Sequence, residues 1–324
     1  MVASSKKIRR FRPRTTTDQT TERWAVILAG GDGTRLQSMT RAITGDNRPK
    51  QFVPLIGGST LLDQTRSRVA LSVSPSRTMF VFTQKHRRFY ESLTQSVSSD
   101  LILEQPENKG TAPAILYALM RVATKSPGAL VALFPSDHYF ADDEEFMSHV
   151  ESAFYAVNSA RTDVVLLGIT PTGPETEYGW IEPQRSILAG ATGSITKVCR
   201  FWEKPDSKLA KTLLERGCLW NSFVIVGHVS ALLKMTSSAL PHMYSQFSKI
   251  SHTFETPNEQ RAKRLVYSAI QDSDFSHEVL AKRPDDLTVL RVGDVGWSDL
   301  GEPTRVLSTL ARIGIQSQLA MSAS

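Results

Sequence analysis

Short apolar runs alternate with amphipathic stretches along the first half of the chain. Five runs are almost continuously apolar, as buried strands are: RWAVILAG (23–30), RTMFVFT (77–83), DLILEQ (100–105), ALVALFPSDH (129–138) and DVVLLGIT (163–170). Four stretches have the apolar spacing of helices: STLLDQTRSRVAL (59–71), HRRFYESLTQSV (86–97), TAPAILYALMRVA (111–123) and EEFMSHVESAFYAV (144–157). This alternation predicts an α/β, Rossmann-like fold with a mostly parallel sheet flanked by helices.

The pattern changes after residue 170. Four further runs indicate strands, the first two of them antiparallel: EYGWIEPQ (177–184), ITKVCRFWEKP (195–205), LWNSFVIVG (219–227) and LTVLRVGDVGWSDLG (287–301). Helical stretches lie between about 230 and 283, and EPTRVLSTLARIG forms a last helix. We therefore expect one domain over 24–315, with a first part over about 24–170 and an inserted, partly antiparallel lobe over about 171–300. The segment 316–324 is expected to fray.

The net charge of +6 is concentrated at the N-terminus. Residues 1–23 carry seven basic and two acidic side chains, a net charge of +5, which leaves about +1 for the other 301 residues. A charged segment of this composition is typical of a solvated, disordered tail. We expect a basic tail over 1–23 and no nucleic-acid partner.

The sequence favours a cytoplasmic protein. No run approaches the eighteen consecutive apolar residues that a membrane span needs, and the N-terminus lacks the apolar core of a signal peptide. The two cysteines, Cys199 and Cys218, do not have the spacing of metal ligands. So few thiols in a chain of this length indicate a reducing compartment without a disulfide framework.

The first apolar run ends in the glycine loop GGDGTR (30–35). Glycines let the backbone approach a ligand closely, and N–H groups between a strand and a helix favour an anion. Arg35 adds a charged fork that suits phosphate oxygens. The P-loop string is absent, and Leu36 stands where the dinucleotide fingerprint needs its last glycine. The loop is therefore either a phosphate loop of a third kind or a glycine-rich turn with a surface arginine.

The glycine loop and RPKQFVPL (48–55) together resemble the signature of the sugar-nucleotide pyrophosphorylases. Further blocks follow in the order typical of their mannose-1-phosphate guanylyltransferase branch: ENKGTAPAI (107–115), FPSDH (134–138), GITPTGPETEYGWIE (168–182), FWEKP (201–205), LWNS (219–222) and VGWSDLG (295–301). The resemblance covers about residues 24–310. It implies transfer of a nucleotidyl group from GTP to mannose-1-phosphate, giving GDP-mannose and pyrophosphate. The chain ends soon after the last block, so we expect a single activity.

Both reactants are anions, so such a reaction needs positive charge and accurate positioning, and little covalent chemistry from the protein. The resemblance implies that Arg35 and Lys50 bind the departing phosphates and that Asp137 and Asp299 hold Mg²⁺. Asp137 follows the strand ALVALF, where a carboxylate is well placed to hold Mg²⁺, and its alternative role is that of an N-cap or Asx-turn residue. Without the resemblance, Asp299 would be no better than a turn aspartate. We expect His138 to be structural. The expected nucleotide-binding residues are Leu28, Ala29, Gly30, Gly31, Gly33, Thr34, Gly110, Thr111, Pro135 and Ser136.

The second part of the chain supplies the expected sugar site. A carboxylate can accept two sugar hydroxyls, and a lysine can hold a sugar phosphate, as Glu203 and Lys204 would in EKP. We also expect Lys204 to be a catalytic residue. The resemblance adds Tyr178, Gly179 and Asn221, and we expect the nucleotide to lie on the first part of the chain and the sugar on the second.

Three positions depart from the pattern of the branch. Gly110 stands where an asparagine is usual, Phe223 replaces a glycine after WNS, and Asp32 replaces a serine inside the glycine loop. The first departure weakens the prediction for guanine, so another pair of nucleotide and sugar phosphate is an alternative substrate pair. A further alternative is an inactive sugar-nucleotide sensor. A homodimer is possible on this sequence.

Overall fold

The computed structural model describes residues 21–184 and 191–314. Most of the expected tail and all of the expected frayed end lie outside these residues. The tail boundary at 23 is nevertheless wrong. Arg23 is the first residue of a strand, and its guanidinium lies 2.8 Å from the Glu151 carboxylate. Glu22 contacts Arg77 at 2.8 Å. The fold therefore includes residues that the charge pattern had assigned to the tail.

Nine strands of the described residues form one sheet: β1 (Arg23–Leu28), β2 (Thr78–Thr83), β3 (Ile102–Gln105), β4 (Leu130–Pro135), β5 (Val164–Ile169), β6 (Gly179–Pro183), β7 (Ile195–Glu203), β8 (Leu219–His228) and β9 (Thr288–Val292). Their order is β3-β2-β1-β4-β8-β5-β9-β7-β6, and β8 also pairs with β6. All five strands expected in the first half of the chain are present.

The sheet is mixed, so the expectation of a mostly parallel sheet is wrong for the whole and right for its first four strands. Strands β3, β2, β1 and β4 run parallel to one another. Strand β8 lies antiparallel between β4 and β5. Strands β6 and β7 continue the same sheet at one edge. A continuous apolar run fits a buried strand in either direction, which is why the sequence of β8 did not reveal its direction.

Ten α-helices are present in the described residues: α1 (Gln37–Thr44), α2 (Leu61–Val69), α3 (Arg87–Tyr90), α4 (Thr111–Lys125), α5 (Asp143–Asn158), α6 (Ser207–Glu215), α7 (Val229–Ala239), α8 (Pro241–Ile250), α9 (Glu259–Ala269) and α10 (Pro303–Arg312). Thr60 caps α2 by accepting from the Asp63 N–H at 3.1 Å. The stretch 86–97 is not one helix but short turns around α3.

Alternate residues of β1 enter cores on opposite faces of the sheet. Val26 packs in the cluster that includes residues of α4 and α7. Ile27 packs in the cluster that includes residues of α2, α5 and α6. Because side chains of a strand alternate between its faces, this arrangement accounts for the continuous apolar run. No helix in the described part of the chain is long and apolar enough to cross a membrane.

The carboxyl ends of β1 and β4 lie side by side. Leu28 pairs with Pro135 in the parallel register, and the Ser136 N–H donates to the Leu28 carbonyl at 3.1 Å. The glycine loop after β1 and Asp137 after β4 are therefore brought to the same edge of the sheet, where open α/β sheets bind ligands.

Candidate active site

Polar side chains fix the path of the glycine loop. The Gln51 amide donates to the Ala29 and Gly31 carbonyls at 3.1 and 2.8 Å. The Thr83 hydroxyl donates to the Gly30 carbonyl at 2.9 Å. A Cβ on Gly30 would lie 2.8 Å from the Gln105 amide nitrogen, so no larger residue fits there without a shift. The loop carbonyls thus accept hydrogen bonds from side chains of the protein itself.

Two adjacent cavities open over this loop. The first, of about 370 Å³, contains six of the ten expected nucleotide residues: Leu28, Gly30, Gly31, Gly110, Thr111 and Pro135. It is also lined by Asp137 and Glu203. The second, of about 350 Å³, is lined by Gly33, Thr34, Arg35 and Lys50.

Asn108 lines both cavities. Ala29 and Ser136 are buried beneath the loop and line neither. A larger cavity, of about 650 Å³, lies around Arg66 and Phe80 and contains none of the expected site residues. Eight of the ten expected nucleotide-binding residues therefore line the two cavities above the glycine loop, although larger cavities exist elsewhere.

Lys50 joins the two expected metal ligands. It is only 8% exposed, and its ammonium donates to the Asp299 and Leu300 carbonyls at 2.5 and 3.1 Å. The same nitrogen lies 3.3 Å from the Asp137 carboxylate. Buried charges need partners, so this arrangement brings Asp137 and the turn at Asp299 together around one cation.

The carboxylate of Asp299 is already bound on both oxygens. The Arg305 guanidinium contacts each oxygen at 3.1 Å, and the Tyr178 hydroxyl and Gly301 N–H donate to Oδ1 at 3.1 and 2.9 Å. Burial alone would raise the pKa of Asp299, but the positive charges around it and the Gly301 hydrogen bond hold the pKa below its usual value. Asp299 is ionised, and Arg305 neutralises it.

The two aspartates fit Mg²⁺ unequally. The described residues contain no group of three or more His, Cys, Asp or Glu side chains that could hold a metal ion. Mg²⁺ is commonly bound by only one or two carboxylates together with substrate phosphates. Asp137 suits this role because it borders the first cavity. Asp299 would have to share or release Arg305 to join it.

His138 has the contacts of a structural residue. Its Nδ1 accepts from the Trp297 indole N–H at 3.3 Å, and the two rings meet edge to face. Burial lowers the pKa of His138. The neutral ring is consistent with packing.

Arg35 lies at the rim of the second cavity. Its guanidinium contacts the Glu177 carboxylate at 3.2 Å, and both side chains are about half exposed. An exposed ion pair of this kind contributes little to stability, so an incoming phosphate can compete with Glu177 for Arg35.

The expected sugar residues divide into two groups. Gly179 faces Glu203 across β6 and β7, and its missing Cβ would lie 2.9 Å from a Glu203 carboxylate oxygen. Lys204 is exposed, and its side chain has no hydrogen bond or ion pair within residues 21–184 and 191–314. Tyr178, in contrast, is buried, with its hydroxyl on Asp299 and its ring against Trp220. It therefore contributes to the support of Asp299.

Asn221 shapes a bulge in β8. It is buried, and its amide oxygen accepts from the Phe223 N–H at 3.0 Å. Phe223 has a φ of 60°, a left-handed conformation that disfavours residues with a Cβ. This explains why a glycine suits the position after WNS. The bulge directs Phe223 into the lining of the first cavity.

Position 110 has no room for the asparagine that is usual there in the mannose-1-phosphate guanylyltransferase branch. Its φ is 88°, and a Cβ would lie 2.4 Å from the Ser273 carbonyl oxygen. That carbonyl accepts from the Ala112 N–H at 3.0 Å. Asn108 instead reaches the same place, and its side-chain oxygen accepts from the Gly110 N–H at 3.0 Å. An amide group is therefore present at this edge of the cavity, two residues earlier in the chain.

Comparison with known proteins agrees with this geometry. A family model described as nucleotidyl transferase matches residues 24–313. The chain belongs to the nucleotidyl transferase family. It is 31% identical over 293 residues to the xanthan biosynthesis protein XanB of Xanthomonas campestris pv. campestris strain B100, covering 89% of this chain and 60% of that protein.

Two further relatives carry names that include mannose-1-phosphate. A mannose-1-phosphate guanylyltransferase of Escherichia coli is 28% identical, over 85% of this chain and 59% of that protein. A solved structure described as a mannose-1-phosphate geranyltransferase of Thermus thermophilus superposes with a TM-score of 0.76 at 26% identity, covering 92% of this chain and 80% of that one. The chain spans about three fifths of the length of the curated relatives.

Sequence reasoning missed four residues of this candidate site: Gln105, Asn108, Asp274 and Arg305. Gln105 lines the first cavity, and its amide oxygen accepts from the Tyr267 hydroxyl at 2.9 Å. Gln105 could have been found, because it ends a buried strand beside the glycine loop. Asn108, Asp274 and Arg305 could not, because their positions depend on contacts between distant segments.

Replacing Gly110 tests the tight packing at the edge of the cavity. We expect Gly110→Ala to lower the free energy of unfolding by at least about 2 kcal/mol, because it adds a clash to an unfavourable φ. It should also weaken nucleoside triphosphate binding, measured by calorimetry. Gly45→Ala is the matched control, since Gly45 has a φ of 78° but open space around its Cβ position. Equal effects of the two substitutions would contradict this account.

Proposed function

We propose that this nucleotidyl transferase moves a guanylyl group from GTP to mannose-1-phosphate and forms GDP-mannose and pyrophosphate. The observation that carries the proposal is the single cavity that the glycine loop, Asp137 and Glu203 share. Nucleotide groups and sugar groups would meet there, beside the buried ammonium of Lys50. The names of the E. coli and T. thermophilus relatives support the choice of mannose-1-phosphate.

In the proposed reaction an oxygen of the sugar phosphate attacks the α-phosphorus of GTP, and pyrophosphate leaves. Lys50 would give up its contact with Asp137 to bind the leaving phosphates, and Arg35 would exchange Glu177 for them. Preorganised positive charge of this kind stabilises the charge that develops on the leaving group. The N–H groups of the glycine loop would hold the triphosphate.

Asp137 would hold Mg²⁺, which would supply further positive charge to the triphosphate oxygens. Lys50, released from Asp137, would remain nearby on the leaving phosphates. Asp299 is the second expected ligand, and its carboxylate would bind Mg²⁺ only after release from Arg305. With Arg305 bound, Asp299 supports Lys50 through its backbone carbonyl.

On the sugar side, Glu203 would accept sugar hydroxyls and Lys204 would bind the sugar phosphate. Lys204 has a φ of 45°, and its N–H donates to the Tyr178 carbonyl at 3.3 Å. This conformation fixes the lysine at the end of β7, directly after Glu203. Asn221, which is buried, would act through the shape of the bulge that it stabilises.

A different nucleotide remains a second candidate. The Asn108 and Gln105 amides at the edge of the cavity replace the side chain expected at position 110, and an amide can donate to or accept from several bases. The test is pyrophosphate release with Mg²⁺ for four nucleoside triphosphates against mannose-1-phosphate and glucose-1-phosphate. Turnover with GTP and mannose-1-phosphate alone supports the proposal. Preference for another pair would assign that nucleotide and sugar phosphate as the substrates. Nucleotide binding without any turnover would favour an inactive sensor.

Neutral variants of Lys50 and Asp137 test the proposed chemistry. We expect Lys50→Met and Asp137→Asn each to lower kcat by about 10²-fold to 10³-fold, as removal of a preorganised charge does. Pyrophosphate release measures the effect. Lys282→Met is the matched control, because Lys282 forms an exposed ion pair with Glu278 elsewhere. Full activity in either site variant would remove that residue from the mechanism.

The pH dependence of sugar binding tests Glu203. Burial, together with the nearby Asp274 carboxylate, raises the pKa of Glu203 to about 7. Glu203 is therefore mostly protonated at pH 6 and mostly ionised at pH 8, and only the ionised form offers all its lone pairs to hydroxyls. We expect KM for mannose-1-phosphate to fall about fivefold to tenfold from pH 6 to pH 8.

Glu203→Gln is the control for that measurement. The sugar phosphate itself titrates with a pKa of about 6, and this contribution stays in the variant. The difference between the two profiles therefore isolates Glu203. Identical profiles for the two proteins would contradict the proposed role.

A further inference from the structure

One residue of the glycine loop has the wrong charge for a phosphate site. Asp32 lies between Gly31 and Gly33, and it lines the second cavity together with Arg35 and Lys50. A carboxylate that faced a triphosphate would repel it, because like charges at short distance are unfavourable. The contacts of Asp32 therefore decide whether its charge harms or helps nucleotide binding.

The Asp32 carboxylate contacts two basic side chains of another element. Its Oδ1 lies 2.6 Å from the Lys85 ammonium and 3.3 Å from the His86 Nε2. Both residues belong to the turn Gln84–His86, which directly follows β2. The Oδ1 atom accepts no hydrogen bond of good geometry within the described part of the chain, so the attraction is that of an ion pair.

The same turn also contacts the segment that carries Lys50. The His86 ring is buried and meets the Phe52 ring edge to face at 6.1 Å. Phe52 ends the turn Lys50–Phe52. Burial lowers the pKa of His86, so the lasting positive charge opposite Asp32 is that of Lys85. The turn Gln84–His86 thus contacts both the glycine loop and the turn Lys50–Phe52.

We propose that Asp32 is a positioning residue that fastens the glycine loop to the turn Gln84–His86 through Lys85. The loop N–H groups and Lys50 then keep a fixed spacing before the nucleotide arrives, and this lowers the ordering cost of binding. Pairing with Lys85 also offsets the negative charge of the carboxylate beside the phosphates. The inference rests on the proposed function, because it assigns the support of the same phosphate site.

The direction in which removal of the Asp32 charge changes GTP affinity separates this role from simple repulsion. We expect Asp32→Asn and Lys85→Met each to weaken GTP binding about fivefold to tenfold, measured by calorimetry in EDTA. The double variant should be no weaker than the weaker single variant, because both substitutions break one contact. Saturating GTP should restore kcat to within twofold of the unaltered chain, so that KM carries the effect. Lys282→Met should bind GTP normally.

Tighter or unchanged binding by Asp32→Asn would overturn the inference, as would additive losses in the double variant. A loss seen only with Mg²⁺ would also overturn it, because Asp32 would then be a metal ligand. Lys85 is half exposed, so its variant tests the contact even if a substitution inside the loop prevents folding. If the unaltered chain binds none of four nucleoside triphosphates, the proposed function fails and this inference fails with it.

Discussion

The ammonium of Lys50 connects segments that are 249 residues apart in the chain. A charged group that is largely buried must find partners, and here it finds two backbone carbonyls at 299 and 300 and the carboxylate of Asp137. The rest of the site depends on this contact, because it holds the end of β4 against the turn that follows β9. A backbone bridge between Tyr139 and Ser298 joins the same two segments.

Around that contact, several side chains support the glycine loop. Gln51 and Thr83 bind the loop carbonyls. Asp32 pairs with the turn after β2. The loop carbonyls are thereby used within the protein, and its N–H groups remain the natural partners for an anion. Two acidic residues near the site are paired as well, Asp299 with Arg305 and Glu177 with Arg35.

Much of this arrangement is visible in the sequence, because it follows from local pattern. The apolar runs locate β1 to β5, and the strand ends locate the glycine loop and Asp137. The direction of β8 was hidden, because its apolar residues are buried against neighbours on both sides. Tyr178 was assigned to the sugar, but its hydroxyl binds Asp299 instead.

Other parts of the site depend on contacts that no local pattern records. The nearness of Asp299 to Asp137 came from family resemblance alone, since its own surroundings fit a turn equally well. Arg305 has the sequence context of an ordinary surface position on an amphipathic helix, and only the fold places it on Asp299 and over the Tyr178 ring at 4.4 Å. The sequence shows only that Gly110 lacks the side-chain amide usual at this position. The close approach of the Ser273 carbonyl in the structure explains why no side chain fits there.

The most direct test is a crystal structure of the protein with GTP and Mg²⁺. We predict phosphate oxygens within hydrogen-bond distance of the Lys50 ammonium and the glycine-loop N–H groups, with the metal ion on Asp137. A triphosphate bound elsewhere, for example in the larger cavity around Arg66, or a Lys50 that keeps all three present contacts, would contradict the proposed site.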